Sequence, residues 1–221
     1  MANIDMEVKV GQASPGTNSE GVWADLKGNR RGEVCIVDFF TEMALEGRTY
    51  QVRAGTVTTA LTGDEAITDT AAEMCVDSAS GVTFMPFEVM ITWNNLGGDA
   101  LECAGKSVGE ASSSGTAFVP LPRYAGGISA RSTARVAATA GSVTVAAEVD
   151  TTTRQHFMYA QEFVSDDDSE AEPWNPVLWV PKLPPVCKGT ACFYVQVASA
   201  TTGPGYFAHI DFAELRTVNV T

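Results

Sequence analysis

The stretch ALECAGKS, residues 100–107, places Gly105-Lys106-Ser107 after a small residue and four others, the permissive form of a phosphate-binding loop. In such a loop, backbone N–H groups and a lysine ammonium cradle the phosphates, and the N-terminus of a following helix adds partial positive charge. The flanking residues do not provide those parts. Upstream, Phe87, Val89, Ile91 and Trp93 alternate with Glu88, Met90, Thr92 and Asn94, the period of a half-solvated strand rather than of a buried parallel one. Downstream, VGEASSSGTAFVPLP carries Gly109, a run of serines, Gly115 and Pro120, through which no helix runs. ALECAGKS therefore reads as a polar loop between strands, and Lys106→Ala is expected to leave the fold unchanged.

Other reactive residue types are scattered. His156 and His209 lie within alternating strand-like runs, RQHFMY and FAHIDF, where histidine is ordinarily a surface or satisfied residue. There is no Gly-x-Ser-x-Gly elbow, and two separated histidines do not make a cupin-type metal triad. Asp69-Thr-Ala and Asp77-Ser-Ala lack the glycine of aspartic-protease loops and lie on one segment. The acidic run DDDSEAE at 166–172 lacks the glycine and ordered spacing of a calcium loop and reads as solvated. A carboxylate pair such as Asp211 and Glu214 is judged only by distances. No catalytic constellation assembles, so the expectation is a non-enzymatic protein with no cofactor and no metal.

The 5 cysteines, Cys35, Cys75, Cys103, Cys187 and Cys192, are odd in number and mostly isolated, unlike a secreted disulfide framework. Buried free thiols are the default, while the spacing in CKGTAC also allows a Cys187–Cys192 bridge across a tight hairpin. The opening MANIDMEVKVGQASPG has neither a basic n-region nor an apolar h-region, which points to a protein made and kept in a cytosol. No apolar run approaches the ~20 residues of a membrane span. A net charge of −13 argues against a main task of gripping nucleic acid, which needs a concentrated positive field.

At 221 residues the chain suits one domain, with a polar arm over residues 1–32 and a body over 33–221. The arm contains GQASPGTNSEG, and Trp23 is its large apolar anchor. Beyond Glu33, strand-like runs separated by Gly, Pro, Asn and Asp predict eight to eleven strands in an antiparallel sandwich or barrel with little helix. EVCIVDFFTEMAL reads as the first of them. Thr70-Ala-Ala-Glu73 has capping-box spacing, but the residues after it favour a strand running into a turn. From Ser142 to Asp150, Val143, Val145, Ala147 and Val149 share one face. CFYVQVASATTGPGYFAHIDFAEL predicts a C-terminal hairpin, with Gly203-Pro204-Gly205 supplying the positive φ of a reversal. EPWNPVLWVPKLPP allows only an edge strand or an extended crossover.

This pattern of a polar arm, short strands rich in Ala, Thr, Ser and Val, proline-bearing crossovers and a long final hairpin resembles the jelly-roll structural proteins of viral and phage particles. The resemblance covers most of residues 33–218 and is architectural. It implies an antiparallel β-sandwich of jelly-roll type and a capsid (coat) protein that self-assembles, often as a trimer or pentamer, in contact with itself and other virion proteins. The implied location is the virion, after synthesis in a host cytoplasm. Small single-stranded RNA virus coats carry an arginine-rich arm that MANIDMEVKV lacks, so a DNA bacteriophage suits the sequence better. Trp23, Arg30 and Arg31 are the expected assembly contacts. The alternative reading is a lectin-like or receptor-binding sandwich, a spike or decoration protein, with Trp93, Trp174 or Trp179 stacked on a sugar.

Overall fold

The computed structural model describes residues 9–10, 27–28, 38–95, 97, 100–162, 175–200 and 202–217. Trp23, Arg30, Arg31, Cys35, the acidic run 166–172 and Trp174 lie outside the described residues. Within the expected arm, Lys9–Val10 pairs in parallel with Lys27–Gly28.

The principal strands, in chain order, are β1 (Thr49–Ala54), β2 (Met74–Asp77), β3 (Val82–Asn95), β4 (Ala100–Val108), β5 (Arg154–Glu162), β6 (Val177–Trp179), β7 (Cys192–Ser199) and β8 (Gly205–Arg216). They form two antiparallel sheets. One has the order β1-β8-β3-β6, extended beyond β1 by Leu121–Pro122. The other has the order β2-β7-β4-β5, extended beyond β2 by Thr133–Val136 and then Thr116–Phe118. The pairing is nested. β1 pairs with β8, β2 with β7, β3 with β6 and β4 with β5, and the contacts of β8 with β3 and of β7 with β4 join these pairs into sheets.

Alternation explains the sandwich. Val89 and Ile91 of β3, and Tyr206, Ala208, Ile210 and Phe212 of β8, project from one sheet against Met74, Val76, Phe193, Val195 and Val197 of the other. These side chains are buried, and each large one contributes about 1.5–3 kcal/mol by leaving water. A second, smaller core lies on the far side of the β2-β7-β4-β5 sheet. There Cys75, Val108, Cys192 and Tyr194 pack under Ala72, Ala137, Val143 and Val145, roofed by a small sheet of Ala71–Ala72, Val143–Thr144 and Ser113–Ser114. Both faces of β2 and β7 are therefore covered, and every residue of these two strands is buried.

Several expectations change. EVCIVDFFTEMAL does not continue as a strand, because Phe39–Leu45 is a helix, the one helix among the described residues. Asp38 caps it, its Oδ1 accepting the N–H groups of Phe40 and Thr41 at 3.1 Å each, and local capping outweighs the strand propensity of the phenylalanines. That helix is too short to cross a membrane. Around Thr70 the strand reading holds, with Ala71–Ala72 and β2 flanking Glu73. Only Val143–Thr144 of the 142–150 run is strand, and Ala147 and Val149 are exposed, since the roof ends there.

The C-terminal strands do not form a hairpin with each other. β7 and β8 lie in opposite sheets, so the 200–204 connection crosses the sandwich. Gly203 and Gly205 do not take positive φ there. They are required for close approach, because a Cβ on Gly203 would overlap the Gly63 carbonyl oxygen and one on Gly205 would strike the Asn95 side chain. Val177–Trp179 is an edge strand, as its prolines dictate.

Candidate functional site

ALECAGKS is β4, an inner strand between β7 and β5, and no phosphate cradle. Gly105 sits under the ring of Phe157, its register partner. Lys106 is 5% exposed and pairs with the Glu148 carboxylate on the outer side of the sheet. This corrects the reading of ALECAGKS as a polar loop, since the stretch is a strand whose lysine has a buried stem and a paired charge. Lys106→Ala is expected to cost about 1–2 kcal/mol in a urea melt, through lost stem packing and a carboxylate without its partner, and Lys106→Met less than half of that.

The next residue, Ser107, meets His156, with Oγ and Nε2 2.8 Å apart. His156 is the extra residue of a bulge between Gln155 and Phe157, which turns its ring back over Trp179 and Phe193 at centroid distances of 6.1 and 5.7 Å. Burial, and then the nearby Arg154 cation, push its pKa down, so the ring is neutral. The pair opens on a cleft of about 430 Å3 lined by Arg154, Leu183, Val186 and Cys187. A serine beside a neutral imidazole is half of a nucleophilic device, which further needs a group orienting the second ring nitrogen and donors for an oxyanion. Among the described residues no carboxylate is hydrogen-bonded to the His156 ring, whose contacts are Ser107, Trp179 and Phe193.

A denser polar cluster occupies the outer face of the β1-β8-β3-β6 sheet. His209 and Asp211 are two apart on β8 and share that face, and register sets Asp211 opposite Glu88 on β3 and opposite Gln51 on β1. His209 Nε2 lies 3.2 Å from Glu88 Oε1 and 3.8 Å from Asp211 Oδ2. Arg123, just past Leu121–Pro122, closes the cluster by pairing with Asp211 Oδ2. Asp211 is fully buried. Burial pushes its carboxyl pKa up, while the charges of Arg123 and His209 and the neighbouring Gln51 amide hold it back. Beside His209 the sheet surface dips into a depression of about 470 Å3 lined by Arg53, Thr56, Met90, Thr92 and Phe207. In the sequence His209 stands out only within FAHIDF and Asp211 only beside Glu214. The signal that unites them is the strand register.

The remaining candidates are structural. Cys187 and Cys192 are free and buried, one in the core between the sheets and the other under the roof, so the bridge that their spacing allows is not formed. Burial pushes the Cys103 and Cys187 thiols up to about 12. Cys75, Asp77 and Cys192 cluster beneath the roof, but both Asp77 oxygens accept hydrogen bonds from Ser112, its N–H at 2.8 Å and its hydroxyl at 2.6 Å. Trp93 and Trp179 are partly buried and pack against the main core, Trp179 stacked on Phe193 at 5.7 Å. Glu214 accepts the N–H groups of Arg131 and Ser132, the latter at 2.8 Å, and three residues along a strand places it on the face opposite Asp211, so the two do not form a catalytic pair.

The described residues define an all-β protein whose two antiparallel sheets pack as a sandwich. No protein-family model, no curated protein and no solved structure matches the chain.

Proposed function

We propose that this protein is a self-associating subunit of a virus particle, most economically a phage capsid protein, and that its sandwich is of jelly-roll type. The nested pairing supports the fold reading. A long antiparallel hairpin in which first meets eighth, second meets seventh, third meets sixth and fourth meets fifth, rolled up on itself, gives sheet orders 1-8-3-6 and 2-7-4-5, those of β1-β8-β3-β6 and β2-β7-β4-β5.

The observation that carries the assembly reading is the placement of exposed apolar side chains. β5 and β6 end the two sheets on one side of the sandwich, held together by the Phe157 and Trp179 rings 5.3 Å apart. Met158, Leu178, Val180, Leu183 and Val186 are exposed along that side. Thr116–Phe118 and Leu121–Pro122 end the sheets on the other side, where Val119, Leu121, Tyr124 and Ile128 are exposed. Free strand edges lined with apolar side chains are templates for association. The two sides differ, so joining one to the other is head-to-tail, the type of contact that closes into a trimer or pentamer ring when its rotation divides a full turn and otherwise extends as a filament.

Light scattering on the purified chain, followed by negative-stain imaging, tests this. Wild type is expected to form rings or larger species, and Leu178→Lys with Leu183→Lys is expected to keep the melting transition while abolishing them. A strictly monomeric wild type at high concentration and at every salt concentration defeats the shell reading and moves glycan binding ahead of it.

A further inference from the structure

We propose that Glu88, His209 and Asp211 form a binding site for one divalent transition-metal ion. Each offers one donor atom, and the three donors lie within 4.8 Å of one another. Two ligands on one ion, at bonds of about 2.1 Å, stand roughly 3.0–3.5 Å apart. The 3.2 Å between His209 Nε2 and Glu88 Oε1 already has that spacing, and the 3.8 Å from His209 to Asp211 closes with a small rotation of the half-buried imidazole. All three donors stand on β8 and β3, whose ladder runs nearly the length of both strands, so the backbone that places them is rigid.

An independent observation points to a missing positive partner. Asp211 is fully buried; Arg123 takes its Oδ2, and its Oδ1 makes no well-formed hydrogen bond although the Gln51 amide lies beside the carboxylate. Buried carboxylate oxygens are ordinarily satisfied, and an orphan marks a place for water or an ion. The local charges agree, because Arg123 pairs with Asp211 while Glu88 brings a second carboxylate to the same cluster.

One imidazole and two carboxylates suit Mn2+ or Zn2+ better than Ca2+ or Mg2+, which prefer oxygen alone. Three protein donors leave further coordination positions, and the depression beside His209 opens them to water. The Cys75, Asp77 and Cys192 cluster does not compete, since Ser112 already engages both Asp77 oxygens and burial holds the Cys192 thiol protonated.

Mn2+ binding to the full chain, followed by loss of the free-ion paramagnetic resonance signal, tests the site. Mn2+ also avoids the thiols, which favour softer ions. Wild type is expected to take up one equivalent and to melt at a higher temperature with Mn2+ than without it. Glu88→Gln and His209→Asn are each expected to weaken binding by at least about tenfold. Arg123→Ala is expected to strengthen it, because the guanidinium competes for Asp211 Oδ2. A plain ion-pair network predicts the reverse, with no uptake by wild type and none created by Arg123→Ala. No uptake at millimolar Mn2+, or unchanged uptake by both ligand variants, overturns the proposal. Glu88 is partly exposed on the sheet surface, so Glu88→Gln keeps the test decisive should His209→Asn fail to fold.

Discussion

Gly105→Val is expected to destabilise the protein by about 3 kcal/mol or more, lowering the melting midpoint by roughly 6–12 °C. Propensity alone predicts the opposite sign, since valine forms strands better than glycine. The reason is cross-strand. Gly105 lies opposite Val195 on β7 and Phe157 on β5, and the Phe157 ring covers its Cα so closely that any Cβ would overlap the ring. Retreat of the ring is hindered, because Trp179 packs against it at 5.3 Å and is itself stacked on the buried Phe193. The glycine of ALECAGKS is thus present for a phenyl ring, not for a phosphate. A double-mutant cycle with Phe157→Ala checks this. If Gly105→Val costs as much without the ring as with it, the ring is not the cause.

Stability that falls as pH rises from about 4.5 to about 8, and a Glu73→Gln variant that escapes most of that fall, is the second large expected effect. Glu73 is 1% exposed, and burial pushes its carboxyl from 4.5 up to about 8, with the Gly141 N–H holding it back and the Asp64 charge adding to the rise. Its Oε1 accepts the Gly141 N–H at 2.8 Å, and the Tyr206 hydroxyl beside the carboxylate also holds the pKa back. The folded protein therefore keeps the proton to higher pH than the unfolded chain does. This contribution to stability is complete below 4.5, shrinks as the unfolded chain alone releases its proton, and is gone above about 8. The whole effect is on the order of 5 kcal/mol. Denaturant melts of both proteins between pH 5 and pH 9 measure it, and parallel curves would rule it out.

What the sequence made legible follows from what alternation encodes. Val89 and Ile91, or Ile210 and Phe212, face the core because their partners one residue along face elsewhere, and that is visible in one dimension. The double burial of β2 and β7 was not visible, because the roof over Cys75, Cys192 and Tyr194 comes from segments distant in the chain. Turn residues at 203–205 announce a change of direction without saying which sheet receives the next strand, which is why a crossing read as a hairpin. The helix over Phe39–Leu45 had a local signal, the capping Asp38, hidden behind two phenylalanines of strong strand propensity. The Glu88, His209 and Asp211 cluster depended on register, which no local pattern supplies.

The nested pairing also governs the order in which this fold can come into being. β8, which follows the other seven principal strands in the chain, lies between β1 and β3 and pairs with both. Until it arrives, β1 has no inner neighbour in its sheet and the apolar faces of β1 and β3 lack the strand that joins them. β7, the strand made just before it, likewise sits between β2 and β4. The nascent chain therefore cannot complete either sheet domain-fashion from its N-terminus. It must hold unpaired edges open and then close both sheets almost at once when β7 and β8 are released. Such high contact order places folding in the range of about milliseconds to seconds and leaves incomplete chains prone to aggregate. A chain truncated before Gly205 would lack the strand that joins β1 to β3 and could finish neither edge of that sheet.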